Sequence, residues 1–371
     1  MTSPVTESFL REFDLLPFPS AGKNSFELEL EKGFKSHPLR QDNYKVFKNY
    51  KRGEKVNFLP VRMDIETLSR CNFRCGMCAV SSWEGGKRSE DMELSKLKKI
   101  LENQHGITEV KLTGLGEPML QGDEYFGFIN YFRQQNIWVR MITNASLLHL
   151  NENVDKLADS DVNDVNISID GATKDVFQAI RRGSNFDQVC KNARALNLAF
   201  LRRNLSPTKA WCCLQELNIH QIKEIIELTY ELGFPQVTFS LNLHGWGGEE
   251  LSKINNAKVI NNADTINTDR AIELRDYGNS IGIKVTFWDV ASKYSRSSNS
   301  SLCPWPFERL YLSSDYRIVP CCMIGNPDNF EISSDLLGKQ SLQEVWLGKD
   351  YESFRDSHLK GEIPRVCRSC Y

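Results

Sequence analysis

The sequence predicts an α/β protein: a partial (β/α)6 TIM-like barrel with a small C-terminal α+β domain. Two observations carry this. Between residues 60 and 290, short β-rich runs alternate with longer helical patterns, as parallel strands with helices outside would. The alternation then stops in the Ser-rich linker KYSRSSNSS, and the segment beyond it is short enough to need a staple. The expected domains are a capping arm (1–57), the barrel (58–294) and the C-terminal domain (295–371).

In the arm, Pro17, Pro19, Gly22, Gly33 and Pro38 break any long element and leave one short helix near 4–13. The β runs are VRMDIET (61–67), TEVKLTG (108–114), WVRMITN (138–144), DVNISID (164–170), KAWCCLQ (209–215), QVTFSLN (236–242) and KVTFWD (284–289). Helical patterns between them cover 94–104, 125–135, 154–160, 186–202, 219–233 and 269–282. The polar, Asn-rich stretch 251–268 reads as a long surface loop. After the linker, RLYLSSDYRIVPCC (309–322) carries a hairpin pattern around Ser313–Asp315, and 341–361 is helical.

The composition, 40% apolar and 25% charged over 371 residues, is that of a globular protein. A net charge of −2 calls for neither nucleic acid nor anionic membrane as partner, and KVFKNYKRGEK (45–55) reads as a solvated segment. The N-terminus lacks the basic start and apolar run of a signal peptide, and no apolar run is long enough to span a bilayer, so the expected location is the cytoplasm. In that compartment eleven cysteines point to metal binding or catalysis rather than disulfides.

Cys71, Cys75 and Cys78 fall in SRCNFRCGMCAV, directly after the first β run and thus at the mouth where such sheets bind substrate. Three thiolates suit a 4Fe–4S cube with one iron left open to an exogenous ligand, and Gly76 eases the turn. A zinc ion borrowing a distant fourth ligand, or reactive thiols, are the alternatives. In LTGLGEPML (112–120), glycines after a strand expose backbone to a ligand, and the acidic Glu117 suits an ammonium group.

CNFRCGMC resembles the CxxxCxxC signature of radical S-adenosylmethionine (SAM) enzymes, with Met77 where the family often has an aromatic residue. The likeness extends over roughly residues 60–290. It implies that LTGLGEPML contacts SAM through Gly114, Gly116, Glu117 and Pro118, the last three at the methionyl amine. TNASLL (143–148) is similar to the family's Thr-Asn-Gly stretch, with Asn144 retained and Ala145 replacing Gly. ISIDGATKDVFQAIRRG (167–183) resembles the segment where Ser168, Asp170 and either Arg181 or Arg182 meet the ribose and carboxylate. The resemblance implies reductive cleavage of SAM to methionine and a 5′-deoxyadenosyl radical that abstracts hydrogen from carbon. It also implies a flavodoxin- or ferredoxin-type electron donor.

Cys303, Cys321, Cys367 and Cys370 form a second group, whose residues alone fit either a fully ligated 4Fe–4S cluster or a tetrahedral zinc. Their surroundings are similar to the SPASM and shorter twitch domains of radical SAM enzymes, which implies a cluster-binding domain with one auxiliary 4Fe–4S cluster. Cys322, next to Cys321, is left as a spare.

The expected reaction is hydrogen abstraction from a small-molecule substrate, a sugar, cyclitol or similar, giving dehydrogenation or epimerisation. The short arm weighs weakly against a peptide substrate. The alternatives are a maturase oxidising or crosslinking a peptide or protein residue, and a non-enzymatic electron-transfer protein. Epimerisation needs a hydrogen donor, and one of Cys212 and Cys213 must face the interior because strand side chains alternate. His244 and Trp246 follow the sixth strand on the substrate side, Asp289 is a weaker candidate base, and Cys190 on an outer helix reads as structural.

Overall fold

The computed structural model describes residues 23–205, 208–259, 262–289, 293–338 and 340–371. The helix expected near 4–13 lies outside them. The arm holds two helices, α1 (Lys23–Ser36) and α2 (Pro38–Asn49), rather than broken chain. Gly33 sits inside α1 because its bare backbone passes Asn136, where a Cβ would come within 3.0 Å of the carbonyl oxygen. Pro38 opens α2, where its missing N–H has no helical partner to lose.

Seven parallel strands follow: β1 (Arg62–Ile65), β2 (Glu109–Leu112), β3 (Trp138–Thr143), β4 (Asp164–Ser168), β5 (Thr208–Cys213), β6 (Gln236–Ser240) and β7 (Lys284–Trp288). Each pairs with the next in sequence order. The connecting helices are α3 (Leu94–Ile100), α4 (Asp123–Arg133), α5 (Asn153–Asp159), α6 (Lys174–Ile180), α7 (Phe186–Arg202), α8 (Ile222–Glu231), α9 (Glu249–Val259) and α10 (Thr268–Ile281). None of the described helices is long and apolar enough to cross a membrane.

The stretch 251–268 is not a loop. It forms most of α9, the turn Asn262–Thr265 and the approach to α10. Its asparagines misled because they are buried anchors: Asn255 Nδ2 donates to the Met77 and His244 carbonyls at 2.8 and 2.7 Å, and Asn262 Nδ2 to those of Leu214 and Leu241.

Strand side chains alternate between two buried faces. Met63, Ile65, Val110, Leu112, Val139, Met141, Val165 and Ile167 point to the helices and are 0% exposed. The opposite, inner face is charged. Arg62 binds Glu109 and Glu308 at 3.2 and 2.9 Å, Arg140 bridges Glu109 and Asp164 at 3.2 Å each, Lys209 holds Asp164 at 3.1 Å, and Arg309 holds Asp64 at 3.3 Å. Mutual pairing makes burial of so many charges tolerable, and removing one partner would strand the other.

The expected hairpin is present as β8 (Arg309–Leu312) and β9 (Ile318–Val319), but it does not stand apart. β8 pairs parallel with β1, extending one nine-stranded sheet in the order β7-β6-β5-β4-β3-β2-β1-β8-β9. The terminal helices α11 (Leu342–Leu347) and α12 (Lys349–Leu359) break at Gly348 and dock on the arm side. There Trp346 Nε1 donates to the Phe58 carbonyl at 2.7 Å, and Tyr351 donates to that of Arg309.

Candidate active site

The chain leaves β1 at Ile65 and turns into the cysteine loop at the C-terminal edge of the sheet. The loop is laced to its surroundings by backbone. Arg74 N–H donates to the Arg182 carbonyl at 2.8 Å, Gly76 N–H to that of Ile180 at 3.2 Å, and Glu117 N–H to that of Arg70 at 2.9 Å. From the other side, α9 clamps it: Lys258 Nζ donates to the Gly76 carbonyl at 2.6 Å, beside the Asn255–Met77 bond. Gly116 is required by this packing, since a Cβ there would lie 2.5 Å from the Leu68 carbonyl oxygen.

The loop walls one end of a 280 Å³ cavity, into which Cys71, Cys75 and Cys78 all face. Gly114, Gly116, Glu117, Asn144, Ser168 and Arg181 line the same end. Burial pushes the Cys71 and Cys78 thiols up to about 12, with the Glu117 carboxylate adding to the shift at Cys71. Without iron these thiols keep their protons, and cluster assembly must release them.

Glu117 is 2% exposed and accepts from the Thr143 hydroxyl at 2.6 Å and from Asn144 N–H at 2.7 Å, joining the ends of β2 and β3. Burial outweighs these bonds and raises its carboxyl to about 7. Asn144 Nδ2 donates to Asn72 Oδ1 in the cysteine loop at 3.0 Å. Ala145 stands at φ 59, the left-handed region that glycine adopts without strain.

The two arginines separate cleanly. Arg181 reaches the cavity, and its Nε is held by Asp170 at 2.6 Å, which keeps the guanidinium firmly charged. Arg182 is exposed and donates to the Arg74 carbonyl at 2.8 Å, outside the cavity. Asp170 does not line the cavity either: it is fully buried behind Arg181 and also accepts from Cys213 N–H at 2.7 Å. Pro118 is buried at the start of a 3-10 turn, away from the lining.

Register separates the cysteine pair on β5. Trp211 pairs with Ser168 and Cys213 with Ser240, all on the cavity face, whereas Cys212 pairs with Phe239 and is 0% exposed among apolar side chains under the helices. Cys212 is therefore a core residue, and any donor role on this strand falls to Cys213. His244 lines the cavity, its ring edge-on to Trp288 at 5.8 Å and to Trp246 at 6.5 Å, and burial lowers its imidazole to about 4. Trp211 meets Trp288 edge-on at 5.5 Å, completing an aromatic wall. Trp246 has φ 46, an unusual conformation for a bulky residue. Asp289 is not among the lining residues, and Cys190 lies half-buried on α7.

In the C-terminal domain, Cys321 lies within electrostatic reach of Cys303, Cys367 and Cys370, and burial pushes all four thiols up. Cys303 N–H donates to the Tyr371 hydroxyl oxygen at 2.9 Å, and Tyr294 N–H donates to the Cys370 carbonyl at 2.9 Å. Among the described residues no three His, Cys, Asp or Glu converge on the position of a single ion. A multi-iron cluster, each iron taking one thiolate, does not ask for such convergence. Cys322 is not idle: it lines the main cavity, while its neighbour Cys321 belongs to the second thiol group.

Sequence reasoning missed Lys111, Trp211, Trp288 and Tyr311 as cavity residues, and Asn255 and Lys258 as clamps on the loop. Strand parity from Ser168 would have flagged Trp211; nothing local announced β8 as the neighbour of β1.

A parallel barrel-like sheet with a three-thiol loop at its mouth, a four-thiol group beside it and a cavity lined by the loop is the architecture of an iron–sulfur protein. The profile of the Radical SAM superfamily matches residues 65–208 and that of an iron-sulfur cluster-binding domain, SPASM, matches 303–371; the chain belongs to the radical SAM superfamily and carries a SPASM domain. Its cofactors are accordingly 4Fe–4S clusters and SAM, which the two thiol groups and the cavity fit.

Among curated relatives, a probable GTP 3′,8-cyclase of Thermoplasma volcanium is 32% identical over 177 residues, 47% of this chain and 51% of that protein. The chain thus spans about half the length of that relative. The mycofactocin maturase MftC of Mycobacterium tuberculosis is 26% identical over 318 residues, 84% of this chain and 75% of that protein. Among solved structures, Streptococcus suis SuiB bound to precursor peptide SuiA superposes with a TM-score of 0.62 at 16% identity, covering 84% of this chain and 70% of that one. The enzyme anSMEcpe with bound AdoMet and a Cp18Cys peptide gives 0.56 at 16% identity, covering 84% and 88%. At such identities the structures show the fold alone.

Proposed function

We propose that this protein binds SAM at the cysteine-loop end of the cavity and modifies a residue of a peptide or protein held against the aromatic wall. The observation that carries the peptide reading is the similarity to a maturase over 318 residues, 84% of this chain. The same fold receives a precursor peptide in SuiB, so the architecture accommodates one.

Cys71, Cys75 and Cys78 hold the SAM-binding cluster; Cys303, Cys321, Cys367 and Cys370 hold the auxiliary one. When bound, cluster and SAM supply a 5′-deoxyadenosyl radical that abstracts hydrogen from carbon. Glu117, near its protonation midpoint at neutral pH, takes the methionyl ammonium, while Arg181, steadied by Asp170, takes the carboxylate. Ser168 and Asn144 orient the remainder, and Arg182 only braces the loop. The indole rings of Trp211 and Trp288 and the His244 ring pack edge-on and exclude water from that wall of the cavity. A flavodoxin- or ferredoxin-type protein supplies the electron.

Small-molecule dehydrogenation or epimerisation is the second reading, favoured by the Cys213 thiol facing the cavity, where it can return a hydrogen atom. Anoxically reconstituted enzyme, given SAM and dithionite, should release 5′-deoxyadenosine, and the Cys75→Ala variant should not. Cell extract fractions should raise that release only when protease-sensitive material is present. Stimulation that survives protease treatment would overturn the peptide reading and favour a small molecule.

A further inference from the structure

The inner face of the sheet contains a charge imbalance that the SAM-binding residues do not resolve. Arg62, Arg140, Lys209 and Arg309 each have a carboxylate within 3.3 Å. Lys111, on the same face of β2, is different. It lines the cavity and, among the described residues, makes neither an ion pair nor a hydrogen bond. It is a surplus cation, half-buried on the cavity wall.

A second group there also lacks a partner. The Tyr311 hydroxyl is buried without a hydrogen bond, its side chain is 1% exposed, and the residue lines the cavity. The register explains why the two lie together: Lys111 and Tyr311 both pair with Asp64, one from each side of β1. They stand two strand spacings apart, roughly 10 Å between backbones, a gap that two long side chains can close onto one oxyanion. Asp64 between them is 1% exposed, is held by Arg309 and does not line the cavity. Cys322 and Gly325 of the SPASM domain also line the cavity, as do Arg181 at the end of α6 and Cys213 on β5.

We propose that Lys111, assisted by the Tyr311 hydroxyl, binds an anionic group of the substrate, a carboxylate or a phosphate, where β2 and β8 wall the cavity. An unpaired ammonium and a free O–H donor leave two strong donors unmet, and an oxyanion satisfies both. The aromatic wall of Trp211, Trp246 and Trp288 then receives the apolar body attached to that group, which places the substrate between its charged anchor and the cysteine loop. For a peptide substrate the anchor is a carboxylate. The proposal rests on reading this cavity as the substrate site, but its test does not depend on turnover.

Anoxically reconstituted enzyme saturated with SAM, so that Arg181 is already engaged, is titrated calorimetrically with phenylacetate, phenyl phosphate and the neutral phenylacetamide. At least one acid should bind about tenfold or more tightly than the amide, and the preferred acid tells carboxylate from phosphate. Lys111→Met should reduce the acid to the level of the amide, while Lys111→Arg should keep the preference. Equal binding of acid and amide by the unaltered protein, binding of none of the three, or a preference that survives in Lys111→Met would each overturn the proposal. The acid–amide comparison needs no variant, so it decides even if Lys111→Met fails to fold. Enzyme that binds the acid yet never cleaves SAM would overturn the proposed function and leave the anion site standing.

Discussion

At the scale of single residues, the most consequential group is Glu117. Its carboxyl is raised to about 7 by burial, so the folded protein holds the proton more tightly than the unfolded chain does. The stability this contributes is complete below the ordinary carboxyl range near pH 4.5 and is lost as pH rises through 7. The cost at pH 8 is on the order of 3 kcal/mol. Glutamine can still accept from Asn144 N–H and donate to Thr143 Oγ1. The apo form of Glu117→Gln should therefore melt progressively higher relative to the unaltered protein as pH rises from 5 to 8, a difference that removes the opposite contribution of the buried His244 imidazole, common to both. Its holo form should bind SAM at least tenfold more weakly by calorimetry, losing about 1.4 kcal/mol. Unchanged SAM affinity would remove Glu117 from the binding site. Residue types at this scale were legible: the three-thiol spacing and Gly-Glu-Pro stood out in the sequence. Orientation was not. Arg181 and Arg182, or Cys212 and Cys213, are adjacent and chemically equal, and only the end of α6 and the register of β5 with β6 set them on opposite sides.

At the scale of elements, α9 shows why composition can mislead. Asparagine disfavours helix interiors because its amide competes for backbone partners, yet here Asn255 spends its amide on two carbonyls outside its own helix. That couples α9 to the cysteine loop and to the His244 turn at once. Asn255→Ala should cost about 1–3 kcal/mol in thermal or denaturant unfolding, since two buried carbonyls lose their donor. It should also lower iron retained after gel filtration selectively at the first cluster, while the auxiliary cluster persists. Equal loss from both clusters would point to global unfolding instead. The strand–helix alternation of the barrel was readable because every strand run is flanked by turn residues and by a helix of amphipathic period. The arm was not, because Gly33 and Pro38 look like breakers yet serve α1 and α2 at a close crossing and a first turn.

At the scale of the whole molecule, barrel and SPASM domain are one sheet. The sequence shows a linker and a change of pattern at about 295, and from that two bodies follow naturally. The pairing of β1 with β8 is long-range and leaves no local trace. Cys321 and Cys322 straddle the junction, one with the second thiol group and one on the cavity. Scanning calorimetry of the holoprotein should accordingly show a single transition spanning both domains, and Cys303→Ala should shift that whole transition downward. Two resolved transitions, with only the smaller one moved, would show that the domains unfold independently.

The place of β8 also bears on how the chain is made. On the ribosome, β1 emerges early with one edge bare, and the strand that covers it is translated only after the whole barrel. At ordinary elongation rates that interval is on the order of 10–50 s. Throughout it the nascent protein offers an open template for mispairing, and Cys367 and Cys370 arrive later still, so the second thiol group can be completed only after the barrel and β8 have been made.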